Sequence, residues 1–175
     1  MKADMKADRE PEVRPEDAGY VVAVAALIFK GGKVLAMRRA KSKDAGPGLW
    51  ETLSGRVHPG EEPLEAVRRE IKEECGLTVS LDPRPITAYS AKRNADDMIL
   101  ILYRADYLAG EVIMSHEHDA FAWLTPEAFA KTSTLSKLAE VVYLADAMTD
   151  AVAASVAEPK DRVEPIKRSG REHLG

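Results

Sequence analysis

The segment Gly55–Leu77 reads GRVHPGEEPLEAVRREIKEECGL, and its reading decides the fold. It carries six glutamates, Glu61, Glu62, Glu65, Glu70, Glu73 and Glu74, with the last three inside five residues. Pro63 suits the first turn of a helix and Gly76 suits its end, so the pattern predicts a helix over Glu62–Cys75. Leu64, Val67 and Ile71 recur at spacings of three and four and form an apolar stripe along it. At about 100° per residue, Glu70 and Glu74 stand about 40° apart and Glu73 about 60° from Glu70 on the other side. One face of the helix can therefore pack on a sheet while its flank presents three carboxylates. Arg69, four residues before Glu73, is placed to hold that side chain by an ion pair.

Carboxylates this close repel one another unless water or a cation separates them. Hard oxygen ligands suit Mg²⁺ or Mn²⁺. A divalent cation offsets the repulsion that otherwise raises carboxylate pKa values. Charge runs are also common on solvated helix faces, and spacing alone leaves both readings open. The run before the helix, SGRVHPGEE, reads as a glycine-containing loop in which the backbone can approach a metal-bound phosphate.

Upstream, Tyr20–Phe29 is a valine-rich run that reads as a buried strand. Gly31-Gly32 reads as a hairpin turn and Val34–Arg39 as the returning strand. Ala40–Gly48 is a polar loop and Trp50–Leu53 a short strand. Downstream, Thr78–Leu81, Ile86–Ala91 and Met98–Tyr107 read as strands, the last two paired around KRNADD. The alternating DAFAWL reads as a strand too. Thr125 caps a short helix opened by Pro126. Leu135–Met148 reads as a final amphipathic helix. Residues 1–18, with MKAD twice in succession, are expected to form a solvated arm, and residues 151–175 a mobile tail, leaving 19–150 as the domain.

The chain of 175 residues is long enough to bury a core without disulfides, and its one cysteine, Cys75, has no internal partner. A formal net charge of −4 gives no global basic field, so no nucleic-acid partner is expected. The charged N-terminus lacks the apolar run of a signal peptide, and the ten apolar residues of YVVAVAALIF are too few for a membrane span. A cytoplasmic address, with no membrane partner, is the expectation.

The segment resembles the signature of the Nudix hydrolases: a glycine, five residues, a glutamate, seven residues, then Arg-Glu-apolar-any-Glu-Glu-any-Gly-apolar. Gly55, Glu61, Arg69, Glu70, Ile71, Glu73, Glu74, Gly76 and Leu77 meet every fixed position across 23 residues. The resemblance implies an α/β/α sandwich with a mixed sheet, an α/β fold. It also implies Mg²⁺-dependent hydrolysis of a nucleoside diphosphate linked to another group, a nucleotide sugar or a modified nucleoside triphosphate. Carried over by position, Glu70 and Glu74 would be the main metal ligands, with Glu73 a further ligand or the base and the Gly55 carbonyl a backbone ligand. Arg69 would orient Glu73, and Glu61 would support the loop or a second metal. A homodimer is compatible with the family.

Family members differ in where the base sits. Glu73 is one candidate and Glu117, in SHEHDAF, is another. His116 and His118 flank Glu117 and are expected to face water. Arg38, Arg39, Lys41 and Lys43 are candidates to meet phosphates. Trp50, Tyr89 and Tyr103 are candidates to stack on a base, whereas Trp123 is expected in the core. Cys75 occupies a free position of the signature and reads as packing. The run WETLSGRV departs from many relatives at Leu53 and Ser54, and no secondary motif selects a substrate. A catalytically silent nucleotide-sensing module of the same fold is the rival reading. Such modules often lose signature carboxylates, and this chain has lost none.

Overall fold

In the computed structural model, residues 19–157 are described, apart from Asp44, Asn94 and Ala95. The residues expected to form the N-terminal arm, and the last part of the expected tail, lie outside them. Among the described residues, seven strands form one mixed sheet: β1 Val21–Lys30, β2 Lys33–Arg39, β3 Trp50–Glu51, β4 Leu53–Arg56, β5 Thr78–Arg93, β6 Asp96–Ala109 and β7 His118–Leu124. It is flanked by the helices α1 Pro63–Glu74, α2 Pro126–Thr132 and α3 Ser136–Ala157.

β1 is the central strand, and its lack of alternation follows from burial on both faces. Ala23, Ala25, Leu27 and Phe29 point to a core shared with Phe129 of α2 and Leu138, Val141 and Val142 of α3. Val24, Ala26 and Ile28 point to the opposite core, under Ala66, Val67 and Ile71 of α1. The molecule is thus helix, sheet, helix. β6 runs parallel to β1 along one edge. The other edge is shared, because β2 pairs with β1 only at the Gly31-Gly32 hairpin and β4 takes over from Ala23 to Ala26. The chain crosses from β2 to β1 between β3 and β4, at Thr52. That crossing sets Glu51 beside β2 and Gly55 beneath α1.

Helix α1 begins at Pro63 and ends with the N–H groups of Cys75 and Gly76 both donating to the Ile71 carbonyl. Gly76 closes the motif in the left-handed conformation, φ +66°. Thr125 caps α2 through its hydroxyl, which accepts from the Ala128 N–H at 3.2 Å.

Three expectations change. Ser54–Arg56 belongs to strand β4 rather than a loop. Thr78–Leu81 and Ile86–Ala91 are one strand, β5, which lies at the sheet edge and absorbs Pro83 and Pro85 through shifts of register. The last helix continues past Met148 to Ala157, because the alanine-rich run favours helix. Among the described residues, no helix is long and apolar enough to cross a membrane.

Candidate active site

Packing α1 against β4 turns the acidic flank of the helix inward. Glu70 and Glu74 are both buried, at 8% and 4% exposure, while Glu62, Glu65 and Glu73 face solvent. The 40° between Glu70 and Glu74 keeps them beside the apolar stripe, whereas Glu73 is turned off the contact. The Glu70 carboxylate lies directly over Gly55: a Cβ built there would stand 1.8 Å from Glu70 Oε1. Gly55 is therefore required by close approach and not by turn geometry.

Arg69 is the organiser of this flank. Its Nε and Nη2 donate to the two Glu61 oxygens at 2.8 and 2.9 Å, its Nη1 to Glu70 Oε1 at 2.6 Å, and its Nη2 to the Arg56 carbonyl at 2.9 Å. Its contact with Glu73 is long, 3.4 Å, so the expected pair with Glu73 is the weakest of its bonds. Glu61 also accepts the His58 N–H at 3.0 Å, which ties the turn before α1 to the helix. The Arg69 guanidinium, aided by that N–H, holds the Glu61 carboxyl down at about 2. In return, hydrogen bonding to Glu61 raises the Arg69 pKa.

Glu74 has the opposite environment. Burial pushes its carboxyl up to about 8, and the neighbouring charges of Glu70, Glu117 and Glu51 push the same way. Its Oε2 is buried without a hydrogen-bond partner among the described residues. Glu117 sits partly buried opposite. Burial pushes its carboxyl up, but the Lys43 ammonium at 3.1 Å, with Arg39 and His116, brings it below the usual carboxylate range.

Two further side chains complete the site. Arg39, 6% exposed, donates from Nη1 to Glu51 Oε1 at 2.9 Å and from Nε to the Ala45 carbonyl at 2.7 Å. His118 is also buried, and its Nε2 lies 3.4 Å from the same Glu51 oxygen. The expectation that His118 faces water is thus corrected: it is the first residue of β7, paired with Arg39 across the sheet and turned inward. His116 is exposed as expected. The sequence reading missed Glu51. The signal available was a lone acidic residue between Trp50 and Thr52, in a strand returning to the apolar sheet.

A cavity of about 500 Å³ opens beside Gly55, Glu51 and Arg39. Ala23 and Ala25 line it together with Tyr89, Met98, Leu100 and Leu138, and Lys92 and Lys137 stand among its lining residues. Tyr89 is thus at the cavity, with the Lys137 ammonium 4.6 Å above its ring. Tyr103 is instead buried in the core under α1, on the opposite face of the sheet. Trp50 packs against the α2–α3 core outside the cavity lining, with the Arg38 guanidinium 5.9 Å from its ring. Arg38 is spent on Asp119 at 2.6 Å on the surface. Glu61 lies away from the cavity, in the grip of Arg69. Lys41 is exposed, and Trp123 is half-buried in an edge-to-face pair with Tyr107. Cys75 is buried, its thiol donating to the Ile71 carbonyl and pushed up to about 11 by burial, as packing requires.

Among the described residues, no three ligand-type side chains converge in a finished cation cage. The fit to a divalent cation rests on three other observations. Glu74 keeps an unpartnered buried oxygen, Glu70 adjoins it over a glycine that leaves no Cβ in the way, and both supply hard oxygen donors. A cation there would also offset the burial and the neighbouring carboxylate charges that raise the Glu74 pKa.

Comparison with known proteins gives the same picture. The family model described as NUDIX domain matches residues 19–144. The CTP pyrophosphohydrolase of Escherichia coli (strain K12) is 33% identical over 107 residues, spanning 59% of this chain and 75% of that protein. The nucleoside triphosphatase NudI of Escherichia coli O1:K1 / APEC is 32% identical over 114 residues, spanning 59% of this chain and 81% of that protein. The crystal structure of MutT protein from Methanosarcina mazei Go1 superposes with a TM-score of 0.67 at 26% identity, covering 76% of this chain and 97% of that one. With its fold, its intact signature and these relatives, the chain belongs to the Nudix family and is a Nudix-type hydrolase.

Proposed function

We propose that the chain hydrolyses a diphosphate bond in a nucleoside diphosphate linked to another group, with Mg²⁺ or Mn²⁺ as cofactor. Nucleoside triphosphates are the leading substrate class, and nucleotide sugars are the second. The observation that carries this reading is the buried pair Glu70 and Glu74, with Glu70 lying over Gly55, a residue that lines a cavity of about 500 Å³. The names of the two similar E. coli proteins favour triphosphates over sugars.

Glu70, Glu74 and the Gly55 carbonyl are the groups that would hold the cation. When bound, it neutralises the bridging phosphates and acidifies an attacking water. The remaining steps fall to the protein. Tyr89, Met98 and Leu100 offer an apolar wall to a base, and the lysines at the cavity offer charge to phosphate or sugar oxygens. Glu117 takes the proton. It is partly buried and stands close enough to Glu74 for its charge to raise the Glu74 pKa. Glu73 is the alternative base, but it faces solvent and its side chain is 57% exposed. Arg69 keeps Glu70 in place, and Glu61 keeps Arg69 in place.

The test is turnover of a panel of nucleoside triphosphates and nucleotide sugars with and without Mg²⁺, with products identified by mass spectrometry. Glu117→Gln is expected to lower kcat far more than Glu73→Gln. Absence of turnover on every panel member, with tight binding retained, would favour a silent sensing module.

A further inference from the structure

Glu51 is a partly buried carboxylate that the proposed reaction leaves without a task. Its Oε1 accepts from two partners at once, Arg39 Nη1 at 2.9 Å and His118 Nε2 at 3.4 Å. A carboxylate only accepts, so the His118 ring donates from Nε2. Both partners lead to the same place. Arg39 holds the Ala45 carbonyl through Nε, and so fixes the loop whose Lys43 reaches Glu117 at 3.1 Å. The backbone of that loop joins in: the N–H of Ala40 donates to the Glu117 carbonyl at 2.9 Å. The second route is direct, because His118 follows Glu117 in the chain. The other anchors of the segment are backbone ones or short: the pairing of His118 with Arg39 in the sheet, the Ser115 N–H to the Glu74 carbonyl at 3.3 Å, the Glu117 N–H to Ser115 Oγ at 3.2 Å and the His118 N–H to the Ser115 carbonyl at 3.4 Å.

We propose that Glu51 is a positioning residue for Glu117, tying together the Arg39–Lys43 loop and the His118 end of β7 so that the Glu117 carboxylate keeps its place opposite Glu74. This rests on the assignment of Glu117 as the base. The arrangement is shielded from solvent: the Arg39 and His118 side chains are 7% and 1% exposed, and that of Glu51 is 14% exposed. The same oxygen serves both arms, so losing it frees both. A shift of about 1 Å at the base is enough to cost about 100-fold in rate.

The experiment compares Glu51→Leu, Glu51→Gln and His118→Phe in the full chain, reading kcat, KM and thermal melting on the best panel substrate. Glutamine keeps an acceptor oxygen for Arg39 and His118 but carries no charge. Glu51→Leu is expected to lower kcat about 10- to 100-fold with KM held within about 3-fold, and Glu51→Gln to restore kcat to within about 3-fold of the parent. Glu51→Leu strands the Arg39 guanidinium and is the variant at risk of misfolding. His118→Phe leaves the Arg39–Glu51 pair intact and is expected to show the same kcat-only loss. Three results would overturn the proposal: parental kcat in a folded His118→Phe, a Glu51→Gln as impaired as Glu51→Leu, or losses confined to KM. If Glu117→Gln itself leaves kcat unchanged, the base assignment fails; parental kcat in His118→Phe beside an impaired Glu117→Gln defeats the Glu51 proposal alone.

Discussion

Replacing Gly55 by alanine isolates the contact on which the site is built. Gly55 lies in extended strand and pairs with Val24, so alanine fits its backbone without strain. The methyl group is the whole perturbation. It would stand 1.8 Å from Glu70 Oε1 and 2.0 Å from the Glu70 carboxyl carbon. To reach ordinary contact at about 3.4 Å the carboxylate must retreat by about 1.6 Å, a move that disturbs the bond it accepts from Arg69 Nη1 at 2.6 Å. Overpacking of this kind costs about 1–3 kcal/mol, which a domain of this size withstands. A misplacement of 1 Å or more at a reacting centre costs about 100-fold or more in rate. Gly55→Ala is therefore expected to fold, to melt a few degrees lower, and to lose about two orders of magnitude in Mg²⁺-dependent kcat/KM. Adding Glu70→Asp, one methylene shorter, is expected to recover the melting temperature but not the rate. The assays are circular dichroism melting and steady-state phosphate-release kinetics across a Mg²⁺ titration. A folded Gly55→Ala with parental rate and parental Mg²⁺ dependence would refute the placement of Glu70 over Gly55 as the centre of the site.

Burial raises the Glu74 carboxyl from 4.5 to about 8, so metal-free protein gains stability from its protonated form fully below pH 4.5 and loses it as pH rises through 8. Urea melts at pH 5 and 8.5 without divalent cation are expected to show lower stability at pH 8.5, by an amount on the order of a few kcal/mol, with Mg²⁺ restoring more at the higher pH; a flat profile would contradict the burial of Glu74. Glu61, held down at about 2 by Arg69, works in a separate window, contributing above 4.5 and fading as pH falls through 2. Arg69→Lys keeps the charge but cannot reproduce four bonds to Glu61, Glu70 and the Arg56 carbonyl, so its kcat/KM is expected to fall about 10- to 100-fold in the same kinetic assay. Arg104 is buried over the Phe29 ring at 4.1 Å and donates to the Ala145 carbonyl of α3 at 2.6 Å. Arg104→Ala is expected to lower stability by about 2–4 kcal/mol in denaturant melts, with kcat on the surviving folded protein unchanged.

Local chemistry made α1 legible. Pro63, Gly76 and the three-and-four spacing depend on residues within one or two turns, and the helix formed where they put it. The same holds for the Thr125 cap. What local pattern missed is set by residues distant in sequence. The i to i+4 rule pointed Arg69 at Glu73, but Glu61, eight residues back, lies closer once the chain turns at His58–Gly60. Gly55 read as loop flexibility, although its use is to leave room for a carboxylate on another element. Glu51 was passed over because its partners lie 12 and 67 residues away. Tyr89 and Tyr103 could not be told apart, since they lie on different strands and the sequence does not show which face of the sheet α1 covers and which carries the cavity. The signature thus announced the chemistry, while the division of labour among its glutamates appeared only with the packing of α1 on β4. Glu70 and Glu74 turn inward, Glu61 serves Arg69, and Glu73 is left in water.

The most direct test of the account is the Mg²⁺-dependent turnover of nucleoside triphosphates by parent protein and Glu74→Gln, measured side by side on folded samples. Cation-dependent hydrolysis by the parent and a loss of about 100-fold or more in Glu74→Gln are expected. Parental turnover in folded Glu74→Gln, or hydrolysis that proceeds equally well without divalent cation, would contradict it.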